Sequence, residues 1–211
     1  IWDVADHLPR TGQPSPPVAL APPPSRWRNY AVAAAISLVA LPLAAFTGWE
    51  AGWLPSSYKH YDAEDGLRQV TLADGSVVEL NLGTELVYSN YKNERRATLK
   101  KGEAFFKISH DRQHPFVVRA GAGQIRVTGT QFNVWKYDDQ VRVMLLEGSV
   151  KITSDAGHSW LNLTPGMQAS YNRGDAQPRL QAFSAHDPAL AWRTGKLILD
   201  NLTLADALPL I

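Results

Sequence analysis

No cysteine occurs in the 211 residues of this chain. Disulfides, thiolate metal sites and thiol nucleophiles are excluded together, and either redox compartment fits. An excess of charge of one sign is missing as well. The formal net charge is +1, and beyond residue 28 basic and acidic residues balance. A nucleic-acid surface needs a basic excess, so no direct nucleic-acid partner is expected. No phosphate cradle is found, because Gly121-Ala122-Gly123 is followed by no helix. Asp62, Glu64 and Asp65-Gly66 lack calcium-loop spacing and mark a turn. His110-Asp111-Arg112-Gln113-His114 places two histidines four apart. Pro115 follows directly and strands flank it, so a solvated hairpin loop is expected and not a metal helix. No Ser/His/Asp order stands out, and neither a cofactor nor a metal is expected.

What the chain does have is a run without charge. Ala31 to Trp49 is nineteen residues long, close to the roughly 20 apolar residues needed to cross a bilayer. Trp27 and Tyr30 flank one end, and Trp49 and Trp53 the other, where aromatic rings suit headgroup depth. Arg26 and Arg28 mark the N-terminal side as cytoplasmic. Pro42 interrupts the run, which membrane helices tolerate. A cleaved signal peptide would need small residues at its cleavage site. Leu43 and Ala45 is the nearest pair, and leucine is too large. A single-pass anchor with the C-terminal part outside is therefore expected.

The rest divides by texture. Residues 1–11 read as the end of a cytoplasmic domain, and the termini as cut from a longer protein. Residues 12–26 hold six prolines and form an extended spacer of about 40 Å, at roughly 3.1 Å per residue. Residues 27–53 are the span with its flanks. From residue 58 to 184, short runs of β-branched and aromatic residues alternate with polar ones. They include Arg68–Leu72, Ser76–Leu80, Leu86–Tyr91, Ala104–Ile108, Phe116–Arg119, Gln124–Thr128, Gln131–Lys136, Gln140–Leu146, Ser149–Thr153 and Met167–Tyr171. Turn signals such as Asp74-Gly75, Lys101-Gly102, Asp138-Asp139, Glu147-Gly148 and Pro165-Gly166 separate them. Many short strands at spacings of roughly 8–12 residues predict an all-β sandwich, barrel or solenoid. Lys92, Arg95, Arg96, Lys100 and Lys101 are expected on solvated strand edges or a hairpin. Trp135 and Trp160 are expected in the β core. Asp187–Trp192 reads as helical, with Pro188 in its first turn. Residues 185–211 then read as the truncated start of a small α/β lobe, with a strand at Lys196–Leu199 and a helix capped by Thr203. The fold class is mainly β: one transmembrane helix, an all-β domain and the opening of that lobe.

Five ordered motifs carry a resemblance. They are Leu72-Ala73-Asp74-Gly75-Ser76-Val77-Val78-Glu79-Leu80-Asn81, Leu99-Lys100-Lys101-Gly102-Glu103-Ala104-Phe105-Phe106, His114-Pro115-Phe116-Val117-Val118, Val127-Thr128-Gly129-Thr130-Gln131-Phe132-Asn133-Val134 and Leu146-Glu147-Gly148-Ser149-Val150. Together they resemble the FecR family over residues 60–171, and the likeness continues into Trp192-Arg193-Thr194-Gly195. These are transmembrane regulators, usually anti-sigma factors, of TonB-dependent iron–siderophore uptake. The resemblance implies an inner-membrane protein with an N-terminal cytoplasmic segment that binds an ECF sigma factor, and a periplasmic FecR-type domain. It also implies a distal lobe, similar to the signalling domain of secretins and TonB receptors, that meets the signalling domain of an outer-membrane receptor. The Leu197, Leu199, Leu202 and Leu204 region is the expected contact. Envelope proteases are implied partners for the later step. Pro42, Ala40, Ala44 and Ala45 would loosen the helix for them, although small residues also serve helix packing.

The resemblance further implies self-cleavage between Gly129 and Thr130 by an N–O acyl shift. The Thr130 hydroxyl attacks the Gly129 carbonyl through a five-membered ring, and water opens the resulting ester. Threonine needs activation or a polarised amide for this, and glycine leaves the carbonyl uncrowded. The residues alone read as a tight turn whose threonine starts a strand, and they name no activating base. Two other classes remain open on the sequence: an anchored envelope scaffold with no sigma factor, and an anchored hydrolase. The hydrolase would need convergent acid, base or nucleophile groups, and none has supporting spacing.

Overall fold

The structure, a computed structural model, describes residues 26–52, 54–155, 159–183 and 188–196. The proposed cytoplasmic end, almost all of the proline-rich spacer, and Leu197, Leu199, Leu202 and Leu204 lie outside them. The chain divides into two units, 1–43 and 44–211.

Helix α1 runs Arg26–Glu50 with Pro42 inside it. Its large apolar side chains, among them Val32, Ile36, Leu38, Val39, Leu41, Leu43 and Phe46, are exposed. They lie on all sides, not along one stripe. A helix that is apolar all round and unburied presents no polar face to water, the pattern of a segment suited to lipid. Residues 29–48 are long and apolar enough to span a membrane.

The β domain begins with β1 (Ser57–Ala63), β2 (Arg68–Thr71), β3 (Val77–Leu80), β4 (Thr84–Asn90) and β5 (Arg95–Lys107). It continues with β6 (Phe116–Ala120), β7 (Gly123–Val127), β8 (Gln131–Tyr137), β9 (Gln140–Glu147), β10 (Val150–Thr153), β11 (Leu161–Leu163), β12 (Met167–Tyr171) and β13 (Arg179–Ala182). Two sheets share the long strand β5. Sheet A has the order β1-β4-β5-β6-β7-β10-β11, and sheet B the order β2-β3-β5-β8-β9-β12-β13. All pairings are antiparallel except β5 with β6. Each sheet grows in chain order, because successive hairpins are laid down alternately in one sheet and then the other. The result has the logic of a solenoid, in which each layer rests on the one before.

Period-two alternation fills the space between the sheets. Val78, Leu80, Leu86, Leu99, Val118, Ile125, Val134, Val143, Leu145 and Ile152 are buried there. Aromatic rings bridge the layers: Tyr88 and Phe116 from sheet A lie 6.1 Å apart, Phe116 and Phe106 6.2 Å, and Phe106 and Phe132 of sheet B 5.0 Å. The Tyr171 hydroxyl donates to the Ala120 carbonyl at 2.8 Å and ties β12 to sheet A.

Four expectations are corrected. Lys101-Gly102 is no turn: Gly102, at φ 89°, lies inside β5 where the strand passes from sheet A to sheet B. Arg95 is no solvated edge residue but is buried on a central strand. The His110–His114 loop is solvated but does not close a hairpin, because the strands it joins run parallel. Trp135 and Trp160 are half-exposed, since Trp135 shares its face with Asn133 and not with the core residues Phe132 and Val134. Among the described residues the buried tryptophan is Trp192, in a 3-10 turn over Pro188–Thr194.

Candidate functional site

Gly129 and Thr130 sit where the chain leaves β7 in sheet A and enters β8 in sheet B. Both neighbours of the break are held by backbone hydrogen bonds: the Thr128 carbonyl accepts from Asp111 N (2.7 Å), and the Thr130 carbonyl from Ile108 N (3.0 Å). The Thr130 side chain is buried, with 4% exposed, and its hydroxyl donates to the Ser149 carbonyl at 3.0 Å. The peptide is packed tightly from two directions. A Cβ on Gly129 would lie 2.5 Å from His110 Nδ1 and 2.9 Å from its Cα. A Cβ on Gly148 would lie 2.8 Å from the Gly129 carbonyl oxygen and 3.1 Å from Thr130 Oγ1. Gly148 also has φ 90°, a region that other residues resist. Glycines on both sides therefore let three chain segments converge on one peptide bond.

Chemically this is a hydroxyl beside its own preceding carbonyl, held in place and with its proton on a carbonyl oxygen. Ser149, Gly148 and His110 are the groups the sequence did not reveal. They lie some twenty positions from Thr130 and reach it only through the fold. The His110 loop itself is an Asp-capped turn. Asp111 accepts from the backbone of Gln113 and His114 and pairs with His114 Nδ1 at 2.9 Å. These bonds, the His114 side chain first, lower its pKa to about 2. Among the described residues no group of three or more histidine, aspartate or glutamate side chains could hold a metal.

A second polar site, which the sequence reading did not single out, lies on the outer face of sheet B. Glu103 is 5% exposed. Asn133 Nδ2 donates to one carboxylate oxygen at 2.6 Å and Asn81 Nδ2 to the other at 3.1 Å. The Trp192 indole lies beside it without closing a hydrogen bond of regular geometry. Burial dominates and raises the Glu103 pKa to about 7, against the two amides, the indole and the Arg142 charge, which lower it. Next to Trp192, Arg193 sets a two-pronged bond on Glu79, at 2.6 and 2.8 Å, with its guanidinium 3.4 Å from the centroid of the Phe105 ring. A lone acid between Gly102 and the apolar Ala104-Phe105-Phe106 was the one available signal.

A two-sheet β domain thus follows a helix long and apolar enough to cross a membrane. Residues 61–151, within the β domain, match the FecR protein family. Two crystal structures of a candidate anti-sigma factor from Parabacteroides distasonis ATCC 8503 are similar. One is 31% identical with a TM-score of 0.58, covering 66% of this chain and 66% of the other. The second is 32% identical with a TM-score of 0.57 and 65% coverage of each. The chain thus spans just under two thirds of those proteins. No curated protein matches it significantly.

Proposed function

We propose that this chain is a single-pass anti-sigma regulator of the bacterial inner membrane. Its N-terminus lies in the cytoplasm and its FecR domain in the periplasm. The domain receives a signal from a TonB-dependent iron–siderophore receptor and relays it to an ECF sigma factor bound at the cytoplasmic end. The observation that carries this reading is a FecR-type domain whose first strand starts seven residues after a helix long and apolar enough to cross a membrane. The likeness to the Parabacteroides proteins supports the sigma-factor end, and the arginines before the helix support the orientation. The test is capture of the tagged full-length protein from intact envelopes, with mass spectrometry of what co-purifies. An ECF sigma factor together with an outer-membrane receptor is the expected result. Recovery of neither would defeat the reading.

The Gly129–Thr130 bond is the self-cleavage site in this proposal. Thr130 supplies the attacking oxygen, its proton moves to the amide nitrogen as the C–N bond breaks, and water opens the Gly129 ester. The fold explains how such a cut would be survived. The N-terminal fragment keeps β1–β7 and the C-terminal fragment β8–β13, yet β8 pairs with β5 and β10 with β7. Two inter-fragment ladders would hold the halves together, and a denaturing gel would separate them. Thr130→Ala is expected to leave only full-length protein, and Thr130→Ser to retain part of the cleavage. A single uncut band from wild type disproves the cleavage.

A further inference from the structure

Glu79, Phe105, Asn133 and Met144 are in register across β3, β5, β8 and β9. Their neighbours Val78, Ala104, Phe106, Phe132, Val134, Val143 and Leu145 point into the space between the sheets, so this row points the other way. Yet Phe105, Asn133 and Met144 are each 1% exposed or less. An outer sheet face with such residues is a covered face. Over Phe105 the cover is Arg193, and beside Glu103 it is Trp192, 8% exposed. Within this turn Gly195 N donates to the Trp192 carbonyl and Lys196 N to the Ala191 carbonyl. The contacts that Arg193 makes with Glu79 and Phe105 run through side chains. A bidentate arginine fork stacked on an aromatic face is specific in direction as well as attractive, and it opens without breaking a strand ladder.

We propose that Trp192 and Arg193 form a releasable latch, which fastens the chain leaving the β domain to the outer face of sheet B at Glu79, Phe105 and Glu103. Closed, the latch fixes where the segment beyond residue 196 departs. Open, it bares the Phe105 row. A receptor drawing on that distal segment would open it; this consequence rests on the relay reading, whereas the latch does not.

Hydrogen exchange read by mass spectrometry on the full-length protein in detergent tests the latch without a sigma factor or receptor. Arg193→Ala and Glu79→Gln are each expected to speed exchange of amides 191–196 at least tenfold while β5 and β8 keep their protection. The double variant should exchange no faster than the quicker single one, because both changes break one contact. Unchanged exchange in Arg193→Ala overturns the latch. So does loss of protection in β5 and β8 to the same degree, which would make the turn an ordinary part of the core. Additive effects of the two changes would also overturn it.

Discussion

Arg95→Ala is expected to destabilise the β domain by about 3–5 kcal/mol, the range for breaking a buried ion pair by removing one partner. Arg95 is 4% exposed and joins parts of the chain that no ladder joins. Its Nη1 reaches Asp74 Oδ2 at 2.6 Å and the Ser109 carbonyl at 3.1 Å, and its Nε donates to the His114 carbonyl at 2.8 Å. The guanidinium also lies 5.5 Å from the centroid of the Phe116 ring. Asp74 in turn accepts from Ser76 N and Oγ, and Ser76 Oγ accepts from Ser109 N. The network pins the β2–β3 turn to the loop between β5 and β6. Removing the arginine leaves the largely enclosed Asp74 carboxylate with hydrogen bonds from Ser76 and no counter-charge from Arg95, and takes one donor from each of two carbonyls. The loss should appear in the denaturant midpoint with the slope unchanged. Asp74→Ala combined with Arg95→Ala should cost little more than Arg95→Ala alone, because the second change removes the stranded charge. A loss under 1 kcal/mol for Arg95→Ala would show that the pair is solvated.

That network also shows where the sequence could be read and where it could not. Met167–Tyr171 was legible because alternation and a Pro-Gly turn agree, and the strand occupies those residues. The first part of β5 was not. Arg95, Arg96, Lys100 and Lys101 look like surface, and only three-dimensional pairing with Asp74 makes Arg95 a buried residue. Gly102 misled for a related reason. A positive φ serves a chain reversal and a strand crossing between sheets alike, and composition does not distinguish them. The size of Trp135 points to the core but its phase does not: in Gln131-Phe132-Asn133-Val134-Trp135 the tryptophan shares the polar phase. At the candidate site, Gly129 and Thr130 were visible as a break between strands. Gly148, Ser149 and His110 were not, because their closeness comes from two crossings between the sheets.

Glu103→Gln is expected to make the domain more stable than wild type at pH 8 and about as stable at pH 5. The folded carboxyl holds its proton up to about pH 7, because burial outweighs the amide hydrogen bonds around it, whereas in the unfolded chain it ionises near the ordinary glutamate value. Between those values the folded state binds more protons. The stability that Glu103 contributes is therefore full below the unfolded pKa and is lost as pH rises through the folded one. At about 1.4 kcal/mol per unit, the difference between the two ends approaches roughly 3 kcal/mol. Glutamine is neutral throughout and avoids the loss, less whatever the bonds from Asn133 and Asn81 gain from a charged acceptor. For a domain of this size the gap corresponds to a rise of roughly 5–10 °C in melting temperature at pH 8. The quantity to measure is the difference between variant and wild type at the two pH values, since the other carboxylates cancel in it. A difference that does not change with pH would mean Glu103 is ionised throughout, with Asn133, Asn81 and the Trp192 indole stabilising the charge fully. The outer face of sheet B would then hold a buried carboxylate from pH 5 to 8, and Trp192 would lie beside a charge across that range.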